Sequence, residues 1–123
     1  MIPGIGTDLC QVSRMAALLT DSAFLKRYFD PEEQAYILSR GVFAAESMAG
    51  HFAAKEAFAK ALGLGFGPLK PEDIGIRHHG NGAPFYCLSG SAQTALRQAG
   101  ARQAHLSIAH DGGMAAAFCV LED

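Results

Sequence analysis

The chain has 123 residues, of which 50% are apolar and 18% charged, and it carries a formal net charge of −2. That balance excludes a disordered polymer, and it gives no global positive field to hold nucleic acid. The length suits one folded domain over residues 1–123, and no apolar run approaches the ~18–20 residues that a membrane span needs.

In chain order, MIPGIGTDLC lacks the basic leader, apolar stretch and cleavage site of a secretory signal, so a soluble protein of the cytoplasm is expected. Residues 2–9 alternate loosely and read as a strand. Ser13 can cap a short helix, and Asp21 a second one running through Tyr28. Asp30-Pro31-Glu32-Glu33 is a strong helix start, with a capping aspartate, a proline in the first turn and acids at the positive end of the dipole. Arg14, Lys26, Arg27 and Arg40 make the first forty residues locally basic, as a solvated face or as a landing patch for an acidic partner. A long helix from about Phe43 to Leu62 follows, stopped by Gly63 and Gly65 with Pro68 beyond.

The texture then turns to strands. Asp73–His79 and Pro84–Leu88 flank Gly80-Asn81-Gly82 as a hairpin, Ser91–Ala99 reads as a helix closed by Gly100, and Gln103–His110 and Met114–Leu121 flank Asp111-Gly112-Gly113 as a second hairpin. Helices early and hairpins late imply an α+β class with antiparallel pairing, a long central helix and short N-terminal helices. Cys10, Cys87 and Cys119 are scattered, which predicts small core residues rather than disulfides or a zinc ribbon.

On a helical wheel the 43–62 segment places Met48, Phe52, Phe58 and Leu62 on one broad side, with His51 and Lys55 among them. Ala53, Ala54, Ala57 and Ala61 gather opposite, and Glu56 and Lys60 share one narrow edge. Such a helix is buried in layers or lies at an interface. Glu56 and Lys60 form an ordinary i,i+4 ion pair or part of a ligand site. Asp8 is the natural second carboxylate, because Gly4, Gly6 and Asp8 share a strand face that lets another backbone or a ligand approach. It can equally be a turn aspartate bonded to its own backbone. If Asp8 and Glu56 converge, their hard oxygens suit Mg²⁺ on a phosphate-bearing substrate, with Lys55 and Lys60 offsetting phosphate charge.

Two signals are discounted. GLGFGP at 63–68 follows a helix instead of preceding one, so it is a helix stop rather than a phosphate loop. His78 and His79 point to opposite faces of a strand, and the five histidines do not form a zinc site. His110 shares a strand face with Leu106 and Ile108, as a structural histidine or as a strand-end group for proton transfer or phosphate binding.

Together, MIPGIGTDLCQVSRM, HFAAKEAFAKALGLG and LSIAHDGGMAAAFCVLE resemble the holo-[acyl-carrier-protein] synthases, the short 4′-phosphopantetheinyl transferases, through nearly the whole chain. The resemblance implies Mg²⁺-dependent transfer of 4′-phosphopantetheine from coenzyme A to a serine of apo acyl carrier protein, within fatty-acid or polyketide synthesis. It implies Asp8 and Glu56 as metal ligands, Lys60 near the diphosphate, and His110 in the coenzyme A site with His51, Lys55, Gly63 and Gly65 around it. Arg14, and with it Lys26 and Arg27, would dock the acidic carrier protein. Glu56, His110 and Asp111 are the alternatives for general base, with Glu56 acting through a water preferred and Asp111 otherwise a third metal contact. Homotrimers with sites across subunit boundaries are also implied, one side of the long helix then facing a neighbour.

Three positions depart from the family pattern. His51 stands where the family has arginine, which predicts tighter coenzyme A binding at lower pH if the position touches a phosphate. Leu64 replaces a threonine and Ala109 a serine, near the pantetheine or adenine end. The alternatives are a coenzyme A-binding module without catalysis and a Mg²⁺-dependent phosphoester hydrolase.

Overall fold

The computed structural model describes residues 1–123. Strand β1 (Gly4–Gln11) leads into three short helices, α1 (Val12–Ala16), α2 (Ser22–Tyr28) and α3 (Pro31–Leu38). A 3₁₀ turn at Gly41–Phe43 opens the long helix α4 (Ala44–Leu62). The hairpin β2 (Ile74–His78) and β3 (Pro84–Leu88), helix α5 (Gly90–Gln98), and the hairpin β4 (Gln103–Asp111) and β5 (Met114–Glu122) complete the chain. The expected elements are all present, with ends shifted by a few residues.

The helix stops have the chemistry that the residues call for. Asp30 accepts from the Glu33 amide while the Glu33 side chain accepts from the Asp30 amide, a reciprocal capping box. Asp21 caps α2 by accepting from the Phe24 amide. Ser13 does not cap α1; the N-cap is Gln11, whose side chain makes no capping bond. Gly63 closes α4 at φ 70°, in the left-handed region where a Cβ is costly.

Strands β1, β5 and β4 form an antiparallel sheet in that order, and β2 and β3 form a separate antiparallel pair. Helix α4 lies across the inner face of the three-stranded sheet. Its close approach to β1 depends on glycine: a Cβ at Gly6 would stand 2.0 Å from the Ala57 carbonyl oxygen, and one at Gly4 2.0 Å from that of Ala61. The alanine side of α4 is therefore covered by the chain's own sheet, so it is not the side of the helix that the expected neighbouring subunit would face. The other side packs on the short helices and β2, so that 13 residues of the 19-residue helix are buried. One continuous cluster of 25 buried apolar residues makes up the core.

Cys10 and Cys119 belong to that core, but Cys87 is exposed on β3, contrary to its expected place. The outer face of the sheet is left uncovered. Ile5, Leu9 and Phe118 point outward at 60%, 65% and 47% exposure, on three successive cross-strand rows of the β1–β5 pair.

Candidate active site

Period two on β1 turns Asp8 inward on the same face as Gly4 and Gly6, toward the C-terminal half of α4. Lys60, one turn beyond Glu56, donates from Nζ to Asp8 Oδ1 at 2.8 Å. That bond raises the Lys60 pKa. Partial burial, and next the Asp8 carboxylate, raise the Glu56 pKa; Lys60 and Arg14 oppose the rise. Asp8, Glu56, Lys60 and Arg14 thus form one electrostatic cluster, in which two carboxylates repel each other at a half-buried position. A hard divalent cation would relieve that repulsion, so the donor set fits Mg²⁺. No third His, Cys, Asp or Glu joins the pair.

Arg14 lies over the Phe52 ring at 5.2 Å and Arg27 over Tyr28 at 5.5 Å. Phe24, Tyr28, Phe52 and Phe66 form a contiguous set of rings between them, so Arg14 and Arg27 border an aromatic cluster beside the carboxylates, and Lys26 is exposed on the same helix as Arg27.

Lys55 is elsewhere. It is fully buried, and Nζ donates to Glu33 Oε1 at 2.6 Å, Ile74 O at 2.6 Å and Pro71 O at 3.1 Å. Every ammonium proton is used inside the protein, so Lys55 has none left for coenzyme A, a correction to its expected role. Desolvation lowers its pKa, and Glu33 opposes that fall. His51 is 1% exposed and also faces inward, with Nδ1 2.9 Å from Glu33 Oε2 and Nε2 3.0 Å from His78 Nε2. Both of its ring nitrogens are taken up by Glu33 and His78, which leaves neither for a phosphate. His78, set aside in the sequence, carries this chain of bonds toward the surface, with Nδ1 3.1 Å from Gly82 O. The Tyr36 ring stacks on His78 at 4.4 Å.

Beside this pair is a cleft of about 300 Å³ lined by Tyr36, Arg40, His51, His78 and His110 together with Ser47, Ile108 and small residues. No carboxylate lines it. His110 Nε2 donates to Glu46 O at 2.8 Å, in the first turn of α4, and packs against Gly50, where a Cβ would stand 3.3 Å from the ring. Asp111 lies with Glu46 and the turn glycines in an adjoining hollow. Glu46 and Glu56 are ten residue steps apart on the helix, about 15 Å of axis. The structure therefore brings Asp8, Glu56 and Lys60 together at one end of α4 and places His110 and Asp111 at the other. Gly63 and Gly65 lie past the carboxylate end, where nothing crowds them.

Four residues of these networks were not singled out as site residues: Glu33, Tyr36, His78 and Arg40. Two of them had a local signal. Glu33 shares its helix side with buried Ile37 at i+4, and His78 continues the inward face of Ile74 and Ile76.

The sequence profile of the 4′-phosphopantetheinyl transferase superfamily matches residues 4–119. The chain belongs to that superfamily. Among its phosphopantetheinyl transferases, the holo-[acyl-carrier-protein] synthase of Treponema denticola is 43% identical over 99% of both chains. The crystal structure of the Neisseria meningitidis synthase matches the whole of both chains at a TM-score of 0.88 and 35% identity. That of the Helicobacter pylori synthase in complex with coenzyme A matches at 0.82 and 31%, covering 96% of this chain and 99% of its own. The transferase fold is thus the α+β arrangement that the sequence predicts.

Proposed function

We propose that the chain transfers 4′-phosphopantetheine from coenzyme A to a serine hydroxyl of an apo acyl carrier protein and releases adenosine 3′,5′-bisphosphate. Membership of the superfamily gives the reaction class. The observation that carries the assignment to active chemistry is the convergence of Asp8, Glu56 and Lys60 across β1 and α4. The alternative of a binding module without catalysis is not favoured, because this machinery is intact.

In the reaction the serine oxygen bonds to the phosphorus that carries pantetheine, the bridging P–O bond breaks, and the hydroxyl proton passes to a base. Asp8 and Glu56 would hold Mg²⁺, which supplies charge neutralisation on the diphosphate when bound. Lys60, exposed and free to swing from Asp8, offsets charge that develops on the leaving bisphosphate. Glu56 takes the serine proton through a water, although its carboxylate would be a weaker base with Mg²⁺ bound than without it. The cleft bearing Arg40, His78 and His110 takes a phosphate of coenzyme A, His110 donating where the chain's own carbonyl now accepts. Arg14, Lys26 and Arg27 face the carrier protein, whose acidic surface would meet both charge and aromatic area.

The assembly is a homotrimer. Two features support it: the outer sheet face bearing Ile5, Leu9 and Phe118 is uncovered, and one chain leaves the two halves of the site about 15 Å apart along α4. Action in the cytoplasm fits a chain in which no helix is long and apolar enough to cross a membrane.

Incubation with coenzyme A, Mg²⁺ and an apo carrier protein tests the reaction. Gain of the phosphopantetheine mass on the carrier is expected. Coenzyme A breakdown without that gain would make the chain a hydrolase, and no turnover would restore the binding-module alternative.

A further inference from the structure

The buried network has a proton count that its geometry fixes. Lys55 Nζ meets three acceptors, so it is an ammonium, and Glu33 opposite it is a carboxylate. Each of the next three contacts then needs a proton of its own. Glu33 Oε2 only accepts, so His51 Nδ1 carries hydrogen. The 3.0 Å contact between the two Nε2 atoms holds one hydrogen. Gly82 O also only accepts, so His78 Nδ1 carries the third. Two neutral imidazoles supply two ring protons, and this arrangement uses three.

We propose that His51 and His78 share a third ring proton, and that this charge makes the adjoining cleft bind phosphate more tightly as pH falls. The charge is placed on His78, the ring nearer the surface, because burial disfavours a charged His51. The Tyr36 face at 4.4 Å stabilises an imidazolium there.

The surrounding groups leave the charge unbalanced. From α3 and the turn after it come Glu33, already paired with Lys55, together with Tyr36 and Arg40. Arg40 forms no ion pair; its Nε reaches only Ser47 Oγ at 3.4 Å. On β2, Arg77 is held by Asp30 and Glu32, and just past its end His79 turns away to stack on Phe85. From β4 comes His110, whose Nδ1 is free. An entering phosphate would meet Arg40, His78 and His110 with no carboxylate in the lining. The inference deepens the proposed coenzyme A site and rests on it for the identity of the phosphate bearer.

Calorimetric titration with adenosine 3′,5′-bisphosphate, at about pH 6 and about pH 8, tests the coupling in wild type, His78→Gln and His110→Gln. The ligand loses charge itself near a phosphate pKa of about 6, so the quantity that matters is the wild-type affinity relative to His78→Gln at each pH. That ratio should grow at least about fivefold from the higher pH to the lower, while His110→Gln weakens binding and keeps the growth. ¹⁵N-histidine spectra should show both His78 nitrogens protonated at the lower pH and His51 protonated on Nδ1 alone. A constant ratio, a neutral His78 at the lower pH, or no binding at either pH overturns the inference. The transfer assay is a separate readout. Turnover with a constant ratio sinks only the shared proton; a growing ratio without turnover sinks only the transferase.

Discussion

At the scale of single residues, chemistry is concentrated in a few charges that an apolar helix would not otherwise carry. Glu56→Gln keeps the side chain's shape and removes its charge, so kcat should fall about a hundredfold or more while the thermal midpoint stays near that of wild type. Turnover near the wild-type rate at saturating Mg²⁺ would show that Glu56 is no ligand. Chelation by EDTA should likewise stop transfer, with recovery on adding Mg²⁺. His51 gives a pH dependence of stability. Burial places its folded pKa below the ordinary 6.5, so the unfolded chain binds the proton more readily. Its contribution is present above about pH 6.5 and is lost as pH falls toward the folded value, when a fourth ring proton breaks the His51–His78 bond. Urea midpoints at about pH 7 and about pH 5 should separate more for wild type than for His51→Gln. Asp8 and Glu56 were legible because glycine alternation and the narrow polar edge are local signals. The fate of Lys55 was not, since its acceptors on Glu33, Pro71 and Ile74 are far away in sequence and only the fold assembles them.

At the scale of elements, the chain's punctuation fixes the boundaries. Asp21, the Asp30–Glu33 box and Gly63 each act within one turn, which is why the starts of α2 and α3 and the end of α4 could be read directly. What covers each face of α4 depends on long-range packing. Its alanine side meets β1 at main-chain distance, so Gly6→Ala should force strand and helix apart and carry Asp8 away from Glu56. Loss of Mg²⁺ affinity together with a lowered thermal midpoint is the expected result; unchanged values would mean that the strand yields without cost. On the opposite side, α3, α4 and β2 are joined through one buried charge pair. Lys55→Met leaves the Glu33 carboxylate with an incomplete set of donors and should cost about 3–5 kcal/mol in denaturant unfolding. Replacing both partners, as Glu33→Leu with Lys55→Met, should recover much of that loss.

At the scale of the whole molecule, the sheet has one face committed to α4 and one face bare. Alternation along β1 and β5 predicts two faces, but the sequence alone does not say which apolar face the chain covers for itself. Phe118→Glu places a charge at the middle of the bare face and should convert the proposed trimer to monomers in analytical ultracentrifugation, with transfer lost in parallel. A wild-type monomer at micromolar concentration would count against the assembly. The distance along α4 between Glu46, which holds His110, and Glu56 has a genetic consequence. If each site takes its carboxylates from one subunit and its histidine from the next, two different defects need not fall in the same place. Glu56→Gln chains and His110→Gln chains, each defective in its own assembly, would form some undamaged sites when co-expressed. Two defective alleles would then complement each other inside a single enzyme.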